Sequence, residues 1–256
     1  MSKKIIYYHR AYRKITRSLK ASLFELLAVS IPFSLLILFG YPWITRFMSH
    51  IAKVVLLPHF PLDTIRITEK VFFLGNISFI DINGSYPSAV LSFINSLVSL
   101  GLIAFLPVVK KNKNIAIYII FLASINLISS LFFIASPYEF PYTATDFSEF
   151  YVTSEISMWL FIPFILGMAV ILLPSSLFPK VVLIAFAILY SIIFGTLRYI
   201  IFLFVVSKYS IIYMALLFFA FGPLIDFVYI VGIYSFYNSR LANDLKVSNT
   251  VWKWLY

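Results

Sequence analysis

Two ionisable residues stand inside long apolar stretches, where a charge is costly. Arg198 lies in IIFGTLRYIIF, residues 192–202, and Asp226 lies in GPLIDFVYI, residues 222–230. An arginine at the centre of a membrane-spanning helix costs about 2.5–3.5 kcal/mol, so it usually faces a partner or a cavity. We predict that Arg198 pairs with Asp226, either as an interhelical clamp or as an anion-stabilising arginine oriented by an acid. The alternative is snorkelling, because Arg198 is about 12 Å of helix from the end of its span at Val206.

A second polar group lies in EFYVTSEISMW, residues 149–159. Ser154 and Glu155 are residues that can cap the beginning of a helix. The alternative is that either one is a polar catalytic group at the membrane surface. The candidate catalytic set is therefore Arg198, Asp226, Ser154 and Glu155.

Several kinds of chemistry have no support in the sequence. The chain has no cysteine, which excludes disulfides, thiolate metal sites and thiol nucleophiles. The histidines His9, His50 and His59 lack metal-ligand spacing, and no glycine-rich nucleotide loop is present. We expect no cofactor and no bound metal.

The elements that position these residues are predicted from composition. Of 256 residues, 62% are hydrophobic and 12% are charged, whereas soluble domains are about 45–50% apolar and about 25% charged. Crossing a membrane takes about 20 mainly apolar helical residues. The sequence therefore predicts an all-α polytopic integral membrane protein with about six transmembrane helices. The predicted spans are 21–40, 89–109, 115–135, 156–173, 181–206 and 211–237.

Basic residues predict the orientation of the spans. Seven of the twenty Lys and Arg residues lie in the first twenty positions, and we expect this arm to pair with Glu25 of the first span. The link between the second and third spans, KKNKN (110–114), and the C-terminal tail are also basic, and the link between the fourth and fifth spans carries Lys180. By contrast, residues 136–153 carry three acids and no Lys or Arg. The positive-inside rule then places both termini in the cytoplasm.

We expect one helical membrane domain, 1–256, in the cell inner membrane. It comprises a basic cytoplasmic arm at 1–20, a small extracytoplasmic segment between spans one and two at 41–88, and a cytoplasmic tail at 238–256. The expected partners are the lipid bilayer and other membrane or envelope proteins. Nucleic acid is not expected, because the net charge of +10 is concentrated beside the membrane.

Three segments carry more local predictions. Residues 41–60 have mixed helical spacing, which predicts either an amphipathic stretch in the interface or an extension of the first helix. Residues 71–87 alternate and include an Asn-Gly pair, which predicts a short β-hairpin. Gly222-Pro223 is a predicted break in the last span.

The second half of the chain resembles the exosortases and archaeosortases, which are polytopic membrane proteases that process C-terminal sorting signals. The family's core is a Cys at the outer start of one helix, an Arg in an Asn-x-x-Arg pattern in the next, and a His beyond it. YVTSEISMWLFIPFILG (151–167) resembles the Cys helix, IFGTLRYIIFLFV (193–205) the Arg helix, and FFAFGPLIDFVYIVG (218–232) the His helix. The resemblance covers about 100 residues.

This chain departs from the family at most of those positions. Ser154 or Glu155 falls at the nucleophile, Gly195 replaces the Asn, and Asp226 lies near the expected His, so only Arg198 carries over. A serine without a nearby base is a poor nucleophile. The resemblance therefore implies a degenerate, non-proteolytic relative or different chemistry.

Three functional hypotheses remain open at this point. The first is a divergent exosortase-like protein that acts in the export or processing of envelope proteins or polysaccharide. The second is a non-catalytic subunit of a membrane complex, in which Arg198 and Asp226 lock helices together. The third is a small transporter, in which the same pair lines a substrate or proton path.

Overall fold

The described residues form a bundle of apolar helices and a small β-hairpin. The structure, a computed structural model, describes residues 19–61, 64–105, 113–171, 173 and 175–247. Its helices are α1 (Leu19–Leu56), α2 (Ala89–Phe105), α3 (Lys113–Ala135), α4 (Ala144–Ile171), α5 (Leu177–Lys208), α6 (Met214–Phe221) and α7 (Pro223–Val247). Its strands are β1 (Ile65–Phe72) and β2 (Gly75–Ile82). The first eighteen residues of the basic arm, the link 106–112 and the end of the tail lie outside the described residues.

The predicted all-α polytopic membrane fold is confirmed. Among the described residues, five helical segments are long and apolar enough to cross a membrane. They are Ser22–His59, Lys113–Ala135, Ala144–Ile171, Leu177–Lys208 and Ile211–Leu241. The predicted second span corresponds to a shorter apolar helix, Ala89–Phe105.

Helix α1 is much longer than its predicted span. Its 38 residues extend about 57 Å at 1.5 Å per residue, against a hydrocarbon core of about 30 Å. Residues 41–56 therefore continue the first helix, as one of the two predicted alternatives required. The N-terminal part of α1 packs on α4, where Ser30 Oγ donates to the Pro163 carbonyl at 2.9 Å.

The hairpin exists, but its turn is not where the sequence predicted it. β1 and β2 pair antiparallel with Phe72 opposite Gly75, so the turn is Phe73–Leu74. The Asn-Gly pair follows β2 instead. Gly84 is needed there for close approach, because a Cβ at this position would lie 2.5 Å from Ile211 Cγ2.

A polar seam joins α2 to α3. Asn95 and Asn126 exchange amide hydrogen bonds of 3.1 and 2.9 Å. Each amide also donates to a serine of the other helix: Asn95 to Ser130 at 2.9 Å and Asn126 to Ser99 at 3.0 Å. Interhelical amide contacts of this kind hold helices together where lipid removes the hydrophobic driving force.

Helix α4 begins earlier than predicted, which corrects the interpretation of Ser154 and Glu155 as caps. The backbone N–H of Asp146 donates to Thr143 Oγ1, and the N–H of Thr143 donates to Asp146 Oδ2, forming a reciprocal capping box. The helix therefore begins at Ala144. Ser154 and Glu155 lie well inside it and cap nothing.

The last span is broken at Gly222, as predicted. α6 ends at Phe221 and α7 begins with Pro223, a residue suited to the first turn of a helix because it has no N–H to leave unpaired. A Cβ at Gly222 would clash with the Phe218 carbonyl oxygen. The main core lies between α1, α4, α5 and the hairpin, with Trp159, Tyr151 and Tyr199 among its largest buried side chains.

Candidate functional site

Arg198 is the centre of a buried ion cluster that joins α4, α5 and α7. Its Nη2 donates to Glu155 Oε1 at 2.6 Å and to Asp226 Oδ1 at 2.5 Å. The arginine is only 4% exposed, and both acids are buried. Arg198 therefore does not snorkel. The predicted Arg198–Asp226 pair is present, and Glu155 is a third member.

The broken last span supplies the other half of the arginine's environment. Nη1 of Arg198 donates to the carbonyl oxygens of Phe221 and Gly222, both at 2.9 Å. The Phe221 carbonyl is at the end of α6, where the last carbonyls of a helix lack intrahelical donors. The Gly222 carbonyl also accepts from the Ile225 N–H at 3.0 Å, in the first turn of α7. The guanidinium carbon also lies 5.0 Å from the centre of the Phe194 ring, within cation–π range.

Gly195 makes room for Glu155. A Cβ at Gly195 would lie 2.5 Å from Glu155 Oε2 and 3.0 Å from its carboxyl carbon. The Gly195 carbonyl accepts a hydrogen bond of 3.0 Å from Tyr151 Oη. The sequence identified this glycine only as a departure from Asn-x-x-Arg, whereas its lack of a side chain admits the carboxylate to the face of α5.

The cluster is not fully satisfied. Within the described part of the chain, Glu155 Oε2, Arg198 Nε and Trp159 Nε1 are buried without a hydrogen-bond partner. Buried polar atoms are nearly always hydrogen-bonded, so three unpaired polar atoms around one ion cluster are unusual. Two carboxylates also face one guanidinium. If all three groups are ionised, the cluster carries a net charge of −1.

Ser154 does not belong to this cluster. It is half-buried on α4, and in the described residues no hydrogen bond joins it to Arg198, Glu155 or Asp226. Neighbouring helical residues point about 100° apart, so burial of Glu155 against α5 directs Ser154 elsewhere. Among the residues that the structure describes, no base is hydrogen-bonded to its hydroxyl, and its catalytic role stays a prediction.

A second buried polar group links the site to the hairpin, and the sequence did not reveal it. Tyr199 Oη accepts from the Ile80 N–H at 2.8 Å and shares a hydrogen bond of 2.5 Å with Ser148 Oγ. Its ring stacks on Tyr151, with centroids 5.5 Å apart. Tyr199 follows Arg198 directly, so one turn of α5 contacts both the acids of the ion cluster and the edge of β2.

A separate ion pair joins α1 to α5. Lys180 Nζ lies 2.9 Å from Glu25 Oε1 and also donates to the Ile171 carbonyl at 3.3 Å. Lys180 was expected in a cytoplasmic link, but it lies in the first turn of α5 and is buried. The predicted pairing of Glu25 with the basic arm falls largely outside the described residues.

Comparisons with other proteins give no independent assignment. No family model, curated protein or solved structure matches the chain. Over the residues that the structure describes, no group of three His, Cys, Asp or Glu side chains is placed to hold a metal ion. The function must therefore be argued from the cluster itself.

Proposed function

We propose that the chain is a non-proteolytic, exosortase-like protein of the cell inner membrane, with both termini in the cytoplasm. It acts as a non-catalytic component in the export or processing of envelope proteins or polysaccharide. The apolar helices support membrane residence, and the distribution of Lys and Arg along the sequence supports the orientation.

One observation carries the proposal. The three helices that resemble the family's core converge, and the residues at or beside its Cys, Arg and His positions meet as Glu155, Arg198 and Asp226. Acids stand where a thiol and an imidazole would be needed for peptide cleavage. Both acids are held by the arginine, so the cluster favours helix locking over nucleophilic attack.

The proposal is tested by separating folding from processing. A reporter with a C-terminal sorting signal is co-expressed with the wild-type chain, the Arg198→Lys variant and an empty vector. We expect the same unprocessed reporter in all three, while Arg198→Lys lowers the amount of folded protein in the membrane. Processing by wild type that is lost in a fully accumulated Arg198→Lys variant would overturn the proposal.

A small proton-coupled transporter is the second candidate, favoured by the excess of acid in the cluster. Buried acids within membrane helices commonly mark proton or substrate paths. In proteoliposomes with an imposed pH gradient, the transporter hypothesis requires proton flux that Glu155→Gln abolishes. Flux no greater than that of protein-free vesicles would exclude a proton leak through the cluster.

A further inference from the structure

The tip of the β-hairpin is uncharged and exposed. The hairpin tip, defined as residues 71–76, includes Val71, Phe73 and Leu74, which are 78%, 77% and 63% exposed. Large apolar side chains clustered at the end of a projecting hairpin mark an interaction surface rather than a random exposure.

Phe73 occupies a backbone conformation that does not suit it. Its φ is 53°, in the left-handed region, at the first central position of a two-residue turn, where glycine is the usual residue. A bulky residue with positive φ is a true outlier, and such strain persists where the side chain has a role. Since Phe73 is so exposed, packing within the described chain does not explain its retention.

The hairpin tip contacts α1 at Tyr41 and Pro42, where the first span predicted from the sequence, 21–40, ends. Tyr41 Oη donates to the Phe72 carbonyl and accepts from the Leu74 N–H at 3.2 Å. A Cβ at Gly75 would lie 2.9 Å from the Pro42 side chain. Tyr41 and Pro42 directly follow the apolar segment 21–40, which has the length that the hydrocarbon core requires.

The rest of the hairpin runs along α1 past the end of the predicted span. Farther along α1, Ser78 of β2 accepts from Ser49 Oγ through its carbonyl at 2.7 Å, and its N–H donates to Thr45 Oγ1 at 3.3 Å. The hairpin tip is therefore the end nearest the bilayer. Phe39 and Trp43 on α1 are also exposed near this level.

Charged residues begin immediately behind the hairpin tip. Arg46 pairs with Glu69 at 2.8 Å, and Lys70 pairs with Glu149 at 2.6 Å. An apolar end followed by charges is the distribution of a segment whose end reaches the acyl chains while its charged part remains at the headgroups.

From this arrangement we propose that the hairpin tip inserts into the lipid leaflet beside α1, with Phe73 and Leu74 as its anchors. The occupant of the surface is phospholipid. The hairpin is thereby held at two places: by lipid at its tip, and by Tyr199 of the helical bundle, which accepts from the Ile80 N–H and is itself hydrogen-bonded to Ser148. This inference does not depend on the proposed function.

The natural absence of cysteine allows a direct test. A single cysteine is introduced as Phe73→Cys, Leu74→Cys, Leu36→Cys or Arg66→Cys in the full chain, labelled with a nitroxide and reconstituted in phosphatidylcholine–phosphatidylglycerol vesicles. Leu36 is the lipid-facing control within the span, and Arg66 is the exposed control at the far end of β1. Electron paramagnetic resonance then compares accessibility to oxygen, which partitions into lipid, and to a water-soluble nickel chelate.

We expect labels at 73 and 74 to have an oxygen-to-nickel accessibility ratio close to that at 36 and several-fold above that at 66. A ratio at 73 and 74 equal to that at 66 would show that the hairpin tip is in water and overturn the inference. Low accessibility to both reagents would show that protein covers the tip, and would overturn it as well. Leu74→Cys keeps the test valid should Phe73→Cys perturb the turn.

Discussion

Gly195 on α5 lies against the carboxylate of Glu155 on α4, with Glu155 Oε2 in the space that any other side chain would occupy. A Cβ at Gly195 would come within 2.5 Å of that oxygen. Because Gly195 has no side chain, Glu155 can reach Arg198, which lies one turn after Gly195 on α5. The ion cluster depends on this close approach as much as on its three charges.

We accordingly expect Gly195→Ala to destabilise the protein by about 1–3 kcal/mol, the usual cost of overpacking a tight contact. The free energy of unfolding in detergent measures the effect. Gly232→Ala is the matched control, because a Cβ there meets nothing within 4 Å and alanine is the better helix former. Equal effects of the two substitutions would contradict the close contact.

The loss of Arg198 should be among the most damaging single changes. Arg198→Ala leaves two buried carboxylates facing each other, and breaking a buried ion pair typically costs about 3–5 kcal/mol. Arg46→Ala, in an exposed pair with Glu69, should cost no more than about 1 kcal/mol. Folded protein recovered from membranes and its unfolding free energy are the two measurements.

Removal of the cluster's charges together should undo much of that damage. Replacement of a buried ion cluster by neutral groups of similar size is often tolerated. We expect Arg198→Met with Glu155→Gln and Asp226→Asn to accumulate better than Arg198→Ala alone. A triple variant as unstable as Arg198→Ala would mean that attraction between the charged groups holds the helices together. The damage in Arg198→Ala would then not come from the two carboxylates left without a counter-ion.

How far the sequence predicts this site depends on the residue. Arg198 and Asp226 could be found because a charge in an apolar run is rare and needs a partner. Glu155 was singled out but misplaced, because the helix start was expected beside it rather than at the Thr143–Asp146 capping box. A polar stretch near a predicted loop does not show by itself that its helix began ten residues earlier.

The remaining features depend on contacts between distant segments. Nothing local to Gly195 indicates that a carboxylate will pack on it. The Asn83-Gly84 pair is a good turn signal, yet Gly84 serves an approach to Ile211 while the strained Phe73 forms the turn. Tyr199 was indistinguishable from other aromatic residues in an apolar helix until the edge of β2 was placed against it.

Tyr199→Phe should weaken the attachment of the hairpin to the bundle. The Ile80 N–H would lose its acceptor, and a buried group left unpaired costs about 1–3 kcal/mol. Faster hydrogen exchange at the Ile80 amide, with a lower unfolding free energy, is the expected result. Tyr138→Phe is the control, since Tyr138 is almost wholly exposed; unchanged exchange at Ile80 in Tyr199→Phe would contradict the assigned bond.

Glu69 on β1, which lies outside the spans, gives a pH-dependent signal through its pair with Arg46. The hydrogen bond and the charge of Arg46 hold the pKa of Glu69 below its ordinary value of 4.5. A lowered pKa means that the pair's contribution is present above pH 4.5 and is lost as the pH falls through the value in the folded protein. Carboxyl NMR titration should show the Glu69 pKa rising toward 4.5 in Arg46→Ala and in high salt. Arg66→Ala, on the opposite face of β1, should leave it unchanged.

The seam between α2 and α3 should behave as one coupled unit. Asn95→Leu removes both amide bonds to Asn126 and the bond to Ser130. Interhelical hydrogen bonds in membranes contribute about 0.6 kcal/mol on average and up to about 1.7. Asn126→Leu should cost a similar amount, because the two amides bond each other. The double variant should be less destabilised than the sum of the single variants, since neither amide is then left without its partner. Strict additivity in the unfolding free energies would show that the two amides act independently.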